Sequence, residues 1–136
     1  MTDGGDVHPL DADVWKKIAE EANACAPFRH GASHLDDVSV DLRCGDVALR
    51  LAFAAGEIHV ARAAGPATVS FSAPDWMPLV TGKTSLVEAA NPYFGSMVIQ
   101  GEPLRVAWLL PSMGALIRIA ARVRAGLQAT TGEGSR

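Results

Sequence analysis

The hydrophobic period changes twice along this chain. Val14, Ile18 and Ala22 fall on one face, with Trp15 and Ala19 beside them, which is the spacing of an amphipathic helix. Lys16-Glu20 and Lys17-Glu21 stand four apart on the opposite face, where opposite charges support a helix. Asp11 is placed to cap its start. Pro27 stops it near Cys25. "RHGASHLDD", residues 29 to 37, reads as a loop.

From Val38 the period becomes two. Val38, Val40 and Leu42 alternate with Ser39, Asp41 and Arg43. "CGD" reads as a hairpin turn, and Val47, Leu49, Leu51 and Phe53 form the next alternating set. "AAGE" turns the chain again. Ile58 and Val60 begin a third strand that "RAAGPA" ends, and Val69 and Phe71 carry a fourth. Short connections between four adjacent strands predict an antiparallel meander with one covered face. His59, between Ile58 and Val60, is expected on the other face.

Asp75 can cap a short helix in "WMPLVTG", with Pro78 in its first turn and Gly82 at its end. Ser85 and Glu88 have capping-box spacing for a second short helix, "LVEAA", which Asn91-Pro92 stops. Met97 and Ile99 suggest a fifth strand. Residues 96 to 126, "SMVIQGEPLRVAWLLPSMGALIRIAARVRAG", then pass from strand to glycine turn to an apolar run cut by Pro111-Ser112. A last helix is expected from Ser112, with Met113, Leu116, Ile117, Ala120, Val123 and Leu127 as its apolar stripe. The run "VAWLLPSMGALIRIAA" reads as too short to span a bilayer, interrupted as it is by Pro111 and Arg118. The order is helix, four strands, two short helices, strand and long helix. One α+β domain is expected, with loose tails at residues 1–9 and 128–136.

Composition fits that picture. The 136 residues suit one domain, with 49 % apolar and 20 % charged residues. A net charge of −3 and only three Trp, one Tyr and four Phe argue against a nucleic-acid surface. Cys25 and Cys44 are far apart and read as reduced, mostly buried thiols. "MTDGGDVHPL" lacks the basic and apolar regions of a signal peptide, so a cytoplasmic location is expected.

Motifs for chemistry do not appear. His30, His34 and Asp36 could meet at a metal, but solvent-facing loop polarity explains them as well. "VTGKTS" lacks the first glycine of a phosphate loop, because position 77 is Met. No GxSxG elbow occurs. No catalytic residue, metal or cofactor is therefore expected.

The stretch "ATVSFSAPDWMPLVTGKTSLVEAANPYFGSMVIQGEPLRVAWLL" resembles the sterol carrier protein 2 family of lipid-binding domains. "VSFSAPDWMPLVTGK" looks like that family's strand leading into a helix. "TSLVEAANPYFGSMVIQGE" looks like its second short helix and glycine-marked return strand, with Gly101-Glu102 where a "GD" pair is common. The resemblance covers residues 10 to 127. It implies a five-stranded, mostly antiparallel sheet with flanking helices, and an apolar tunnel for a sterol, fatty acid or fatty acyl group, with no cofactor.

Carried to this sequence, the resemblance implies a tunnel wall of Trp76, Met77 and Val80, then Leu86 and Ala90, then Met97 and Ile99, then Leu109, Leu110, Met113, Leu116 and Ile117. Lipids need apolar walls, each buried CH₂ contributing roughly 0.8 kcal/mol. Met77, Met97 and Met113 suit an adaptable cavity. Ordinary core packing explains the same side chains. Arg105, Arg118 and Arg122 are candidates for a lipid head group or an anionic membrane surface, and also for the solvated side of an amphipathic helix. Two other functions stay open. One is an interaction module with a filled cavity, serving a lipid-metabolising enzyme. The other is an enzyme using Asp75, His59 or Tyr93 at the cavity mouth.

Overall fold

Asp11 starts the first helix as its position suggests: its Oδ2 accepts the Val14 N–H at 3.0 Å. The computed structural model describes residues 8–62, 65–91, 93 and 95–134, with side chains described as far as Leu127. The order is α1 (Ala12–Ala24), α2 (Ala26–Gly31), β1 (Val38–Cys44), β2 (Val47–Ala54), β3 (Glu57–Ala61), β4 (Val69–Ser72), α3 (Met77–Val80), α4 (Leu86–Ala89), β5 (Val98–Gly101) and α5 (Pro103–Gly134). Of the expected N-terminal tail, residues 1–7 lie outside the described residues. Pro9 is buried, and its carbonyl accepts the Trp15 indole N–H at 2.7 Å.

Two departures from the expected elements have local causes. The loop expected after Cys25 begins with a short helix, α2. Pro27 sits at its start, where a missing N–H costs nothing, and Phe28 buries inward. The last helix does not begin at Ser112. It runs unbroken from Pro103 with Pro111 inside it, because Pro103 supplies the favourable first-turn proline and Glu102 O accepts Val106 N–H at 2.9 Å. Ser112 is a buried helix residue and not a cap. The segment Pro103–Leu127, 25 residues, is also long and apolar enough to cross a membrane, contrary to the short run expected. In the fold it is a packed helix that buries Leu109, Met113, Leu116, Ile117, Ile119 and Ala120.

The sheet order is β3-β2-β1-β4-β5. β1, β2 and β3 form the expected antiparallel meander, with Val40 opposite Leu51 and Phe53 opposite Ile58. β4 breaks it. It returns to lie beside β1 in parallel, with Leu42 opposite Phe71, and β5 pairs with it antiparallel. The sheet is thus mixed, with one parallel pair. The connection after β3 must pass three strand spacings, roughly 14 Å. The seven residues 62–68 reach that distance easily at about 3.3 Å each.

One face of the sheet carries Val40, Leu42, Leu49, Leu51, Phe53, Ile58, Val69 and Phe71, all buried. α1 and α5 lie against this core, joined by Trp15, Ile18 and Leu116. Each such side chain contributes roughly 1.5–3 kcal/mol by leaving water. The other face is polar, as the alternation requires, and His59 is exposed on it. Two charged residues of that face are nevertheless buried: Asp41 is 4 % and Arg50 7 % exposed. The β3–β4 connection covers them, since Arg50 Nη2 donates to Gly65 O at 2.9 Å. Ser39 and Thr68 tie the end of that connection to β1, with Thr68 N–H donating to Ser39 Oγ at 3.0 Å.

Candidate functional site

The helices α3, α4 and α5 carry most of the side chains expected to line a tunnel. The corner between these helices begins where β4 ends. Trp76 is fully buried, and its indole N–H donates to Arg43 O at 2.7 Å. That bond meets the one polar demand of an otherwise apolar ring and fixes how the chain leaves the sheet. Asp75 is not the cap of α3 as expected, since Trp76 holds that position without a side-chain cap bond; Asp75 Oδ1 instead closes a turn just before it by accepting Met77 N–H at 2.9 Å. Pro78 stands in the first turn of α3, and Leu79 and Val80 face inward.

α4 carries the expected capping box. Ser85 Oγ accepts Glu88 N–H at 3.1 Å, and Glu88 Oε1 accepts Ser85 N–H at 3.0 Å. The Ser85 backbone N–H, and then the Ser85 side chain, hold the Glu88 carboxyl below the usual carboxylate range. Leu86 is the buried residue of this turn. Gly95 then returns against the end of α4. A Cβ there would lie 1.9 Å from Ala89 O, so only glycine permits the approach. Met97 follows, buried, its N–H bonded to Ala89 O at 3.1 Å.

Of the expected wall residues, Trp76, Val80, Leu86, Met97, Leu109, Met113, Leu116 and Ile117 are buried, and Met77, Ile99 and Leu110 are partly buried against the same core. A groove of about 340 Å³ between α3, α4 and α5 brings Leu86, Ile117 and Arg118 together, with Leu79 and Gly114. Arg105 and Arg122 are not part of that groove. Arg105 is exposed at the start of α5, 3.8 Å from Glu102. Arg122 is exposed on the outer side of α5, facing α1 and α2.

Arg124 is the arginine turned inward, and sequence reasoning missed it. It is buried, with Nη2 3.9 Å from Met77 Sδ, and burial lowers its pKa from the usual guanidinium value. The signal was present in the spacing. Ile117, Ala120 and Arg124 continue one inward stripe of α5.

The residues considered for an enzymatic mouth do not converge. His59 is on edge strand β3, while Tyr93 lies just before β5 at the opposite edge. His34 is exposed and meets the Trp108 ring edge-on at 6.2 Å between centroids. His30 belongs to α2. Among the described residues no three His, Cys, Asp or Glu side chains are grouped to hold a metal. Lys83 of the "GKT" letters is exposed, in the turn between α3 and α4. Cys25 and Cys44 are free thiols, each partly buried.

This architecture has known counterparts among solved structures. Sterol carrier protein 2 superposes with a TM-score of 0.67 at 15 % identity, over 82 % of this chain and 96 % of that one. A conserved hypothetical protein of Thermus thermophilus, described as possibly a sterol carrier protein, gives 0.65 at 15 % identity over 90 % and 92 %. The UbiJ-SCP2 ubiquinone synthesis protein gives 0.60 at 18 % identity over 82 % and 96 %. No protein-family model and no curated protein matches the sequence. The chain has the sterol carrier protein 2 fold, α+β with a five-stranded, mostly antiparallel sheet and flanking helices.

Proposed function

We propose that this protein binds a hydrophobic small molecule without covalent chemistry, a sterol, fatty acid or fatty acyl group, between the sheet and the α3–α4–α5 corner. The observation that carries this reading is the sterol carrier protein 2 fold, together with the methionine-rich apolar side chains at that corner. Met77, Met97 and Met113 are adaptable, so they can repack around a chain of varied length. The walls are contributed by two short helices of four residues each, α3 and α4. Elements this short are held by tertiary contacts, so they can move aside at low cost.

Two measurements test it. Protein purified without denaturation is analysed by denaturing mass spectrometry for retained lipid. Protein refolded without lipid is titrated with a fluorescent fatty acid and a fluorescent sterol. Saturable binding, displaced by unlabelled ligand and weakened by Met113→Asp, supports the reading. No retained lipid and no saturable binding of either probe overturns it.

An accessory role beside a lipid-metabolising enzyme is the second reading. The likeness to a ubiquinone synthesis protein favours it. A stable complex with such an enzyme, recovered from the source cells, together with an empty corner, supports it over the first.

A further inference from the structure

α5 is more apolar than its burial requires. Only 39 % of an apolar 18-residue window within Pro103–Leu127 is buried in the fold. The uncovered part forms a line. Exposed Leu104, Trp108, Pro111, Arg118 and Arg122, with half-buried Ala115 between them, recur at intervals of four, three, four, three and four, which keeps them on one stripe. The stripe is about 27 Å long. Leu104 is 64 % and Trp108 62 % exposed. Large side chains left this open at adjacent turns are unusual on a soluble surface. Trp108 is held in place, since its ring meets His34 edge-on and its carbonyl lies 3.3 Å from His34 Nε2.

The charge along the stripe is one-sided. A groove of about 550 Å³ runs beside it between α2 and α5, with Pro27, Phe28, Pro111 and Ala115 as apolar lining. Among the described residues, its charged lining is Arg118 and Arg122, with no carboxylate. This positive groove stands on a chain of net charge −3. Acidic groups lie at its two ends: Asp36 and Glu102 beside Leu104, with Glu102 3.8 Å from Arg105, and Glu20 and Glu21 beyond Arg122.

We propose that this outer face of α5 docks on an anionic lipid bilayer. Leu104 and Trp108 enter the interfacial region, where tryptophan is favoured. Arg118 and Arg122 meet lipid phosphates further along the same helix. Exposed Leu and Trp followed by arginines along one face combine shallow apolar insertion with attraction to anionic lipid. Arg118 borders both this face and the α3–α4–α5 groove, while Leu104, Trp108 and Arg122 lie away from that groove, so docking does not require that a ligand be bound there.

The protein carries its own reporter. Of its three tryptophans, Trp15 and Trp76 are fully buried, so a blue shift of emission on adding vesicles reports Trp108. Full-length protein is sedimented with phosphatidylcholine vesicles, with and without about 30 mol % phosphatidylglycerol. Binding and a blue shift are expected with the anionic vesicles, and little of either with the neutral ones. Trp108→Phe removes the shift and keeps most of the binding. Leu104→Ser with Trp108→Ser abolishes sedimentation while leaving ligand titration in solution unchanged, which separates failure of docking from failure of ligand binding. Arg118→Gln with Arg122→Gln weakens partitioning about thirtyfold, near fivefold for each arginine. All four side chains are exposed, and thermal melting by circular dichroism confirms that the variants fold.

Equal binding to neutral and anionic vesicles overturns the proposal, as does binding that both double variants leave intact. Saturable binding of monomeric oleate at this face without vesicle binding also overturns it. A lipid-free dimer that shields Trp108 from acrylamide, with no vesicle binding, assigns the face to a second copy of the chain instead.

Discussion

Arg50 on β2 stands opposite Asp41 on β1, and its guanidinium grips both oxygens of that carboxylate through Nε and Nη2. The same Nη2 reaches Gly65 O at 2.9 Å, so one side chain joins two strands to the connection that crosses them. Arg43 adds a second contact, Nη2 to Asp41 Oδ2 at 3.2 Å. Asp41→Ala strands the buried Arg50 charge and is expected to cost about 3–5 kcal/mol in urea unfolding. Asp41→Leu combined with Arg50→Met is expected to recover most of that loss. A double variant as unstable as Asp41→Ala alone would show that the crossover, and not the charge, sets the cost.

The pair is not a pH switch in the neutral range. The hydrogen bond to Asp41 raises the Arg50 pKa, outweighing burial, which lowers it. A raised basic group contributes stability below its unfolded pKa and loses it only as pH rises through the folded value. For Arg50 that window is strongly alkaline. The coupling between Asp41 and Arg50, measured by a double-mutant cycle, is expected to be unchanged from about pH 6 to 9.

Gly95→Ala is expected to be costly out of proportion to its size. Its Cβ would meet backbone, Ala89 O at 1.9 Å, and cannot be relieved by moving a side chain. The loop must lift from α4, losing the Gly95 N–H bond to Asn91 O at 2.8 Å and the Met97 N–H bond to Ala89 O at 3.1 Å. A loss of about 2 kcal/mol or more is expected, with amide shift changes in an NMR spectrum centred on Ala89 to Met97. Gly126→Ala is the control. It is helical with nothing within 4 Å of an added Cβ, and is expected to stabilise by about 0.5–1 kcal/mol.

Pro111→Ala is expected to raise the melting temperature. Pro111 lies inside α5 and is exposed, so its ring costs a backbone bond without gaining core packing. Restoring the N–H is worth up to about 3 kcal/mol. A lower melting temperature would mean that α5 is bent at this point to fit α2.

The α4 capping box is expected to loosen in acid. The Glu88 pKa is depressed by its bond to the Ser85 backbone and then by the Ser85 side chain. A depressed acid contributes stability above its unfolded pKa and loses it as pH falls through the folded one. The Ser85 amide shift should therefore titrate with a midpoint below the ordinary glutamate range. In Ser85→Ala that midpoint should move up. An unmoved midpoint would show that the Ser85 hydroxyl has no part in holding the carboxylate.

Much of the architecture was legible in local pattern. The alternation from Val38 to Val60 specifies three strands and their covered face, because a strand half in water must alternate. Asp11 and the Ser85–Glu88 box mark helix starts because each meets backbone donors that have no helical partner. The candidate corner was legible only in part. Trp76, Met113 and Leu116 read equally as core or as ligand wall, since both need the same apolar side chains. Arg118 and Arg122 looked equivalent in sequence. In the fold they diverge: Arg118 also borders the α4 groove, while Arg122 stands against α1 and α2.

The sequence alone determined what each segment could be: period two against period three or four, caps at particular oxygens, glycine where backbone must approach backbone. Those are contacts within a few residues, and a few residues encode them. Only the tertiary structure decided that β4 pairs with β1 in parallel, that α5 runs through Pro111, and that Asp41 and Arg50 are buried on the polar face. The strand pairing and the buried pair depend on where Val69 and Gly65 come to lie against β1 and β2. Such contacts join residues far apart in the chain, and local periodicity carries no record of them.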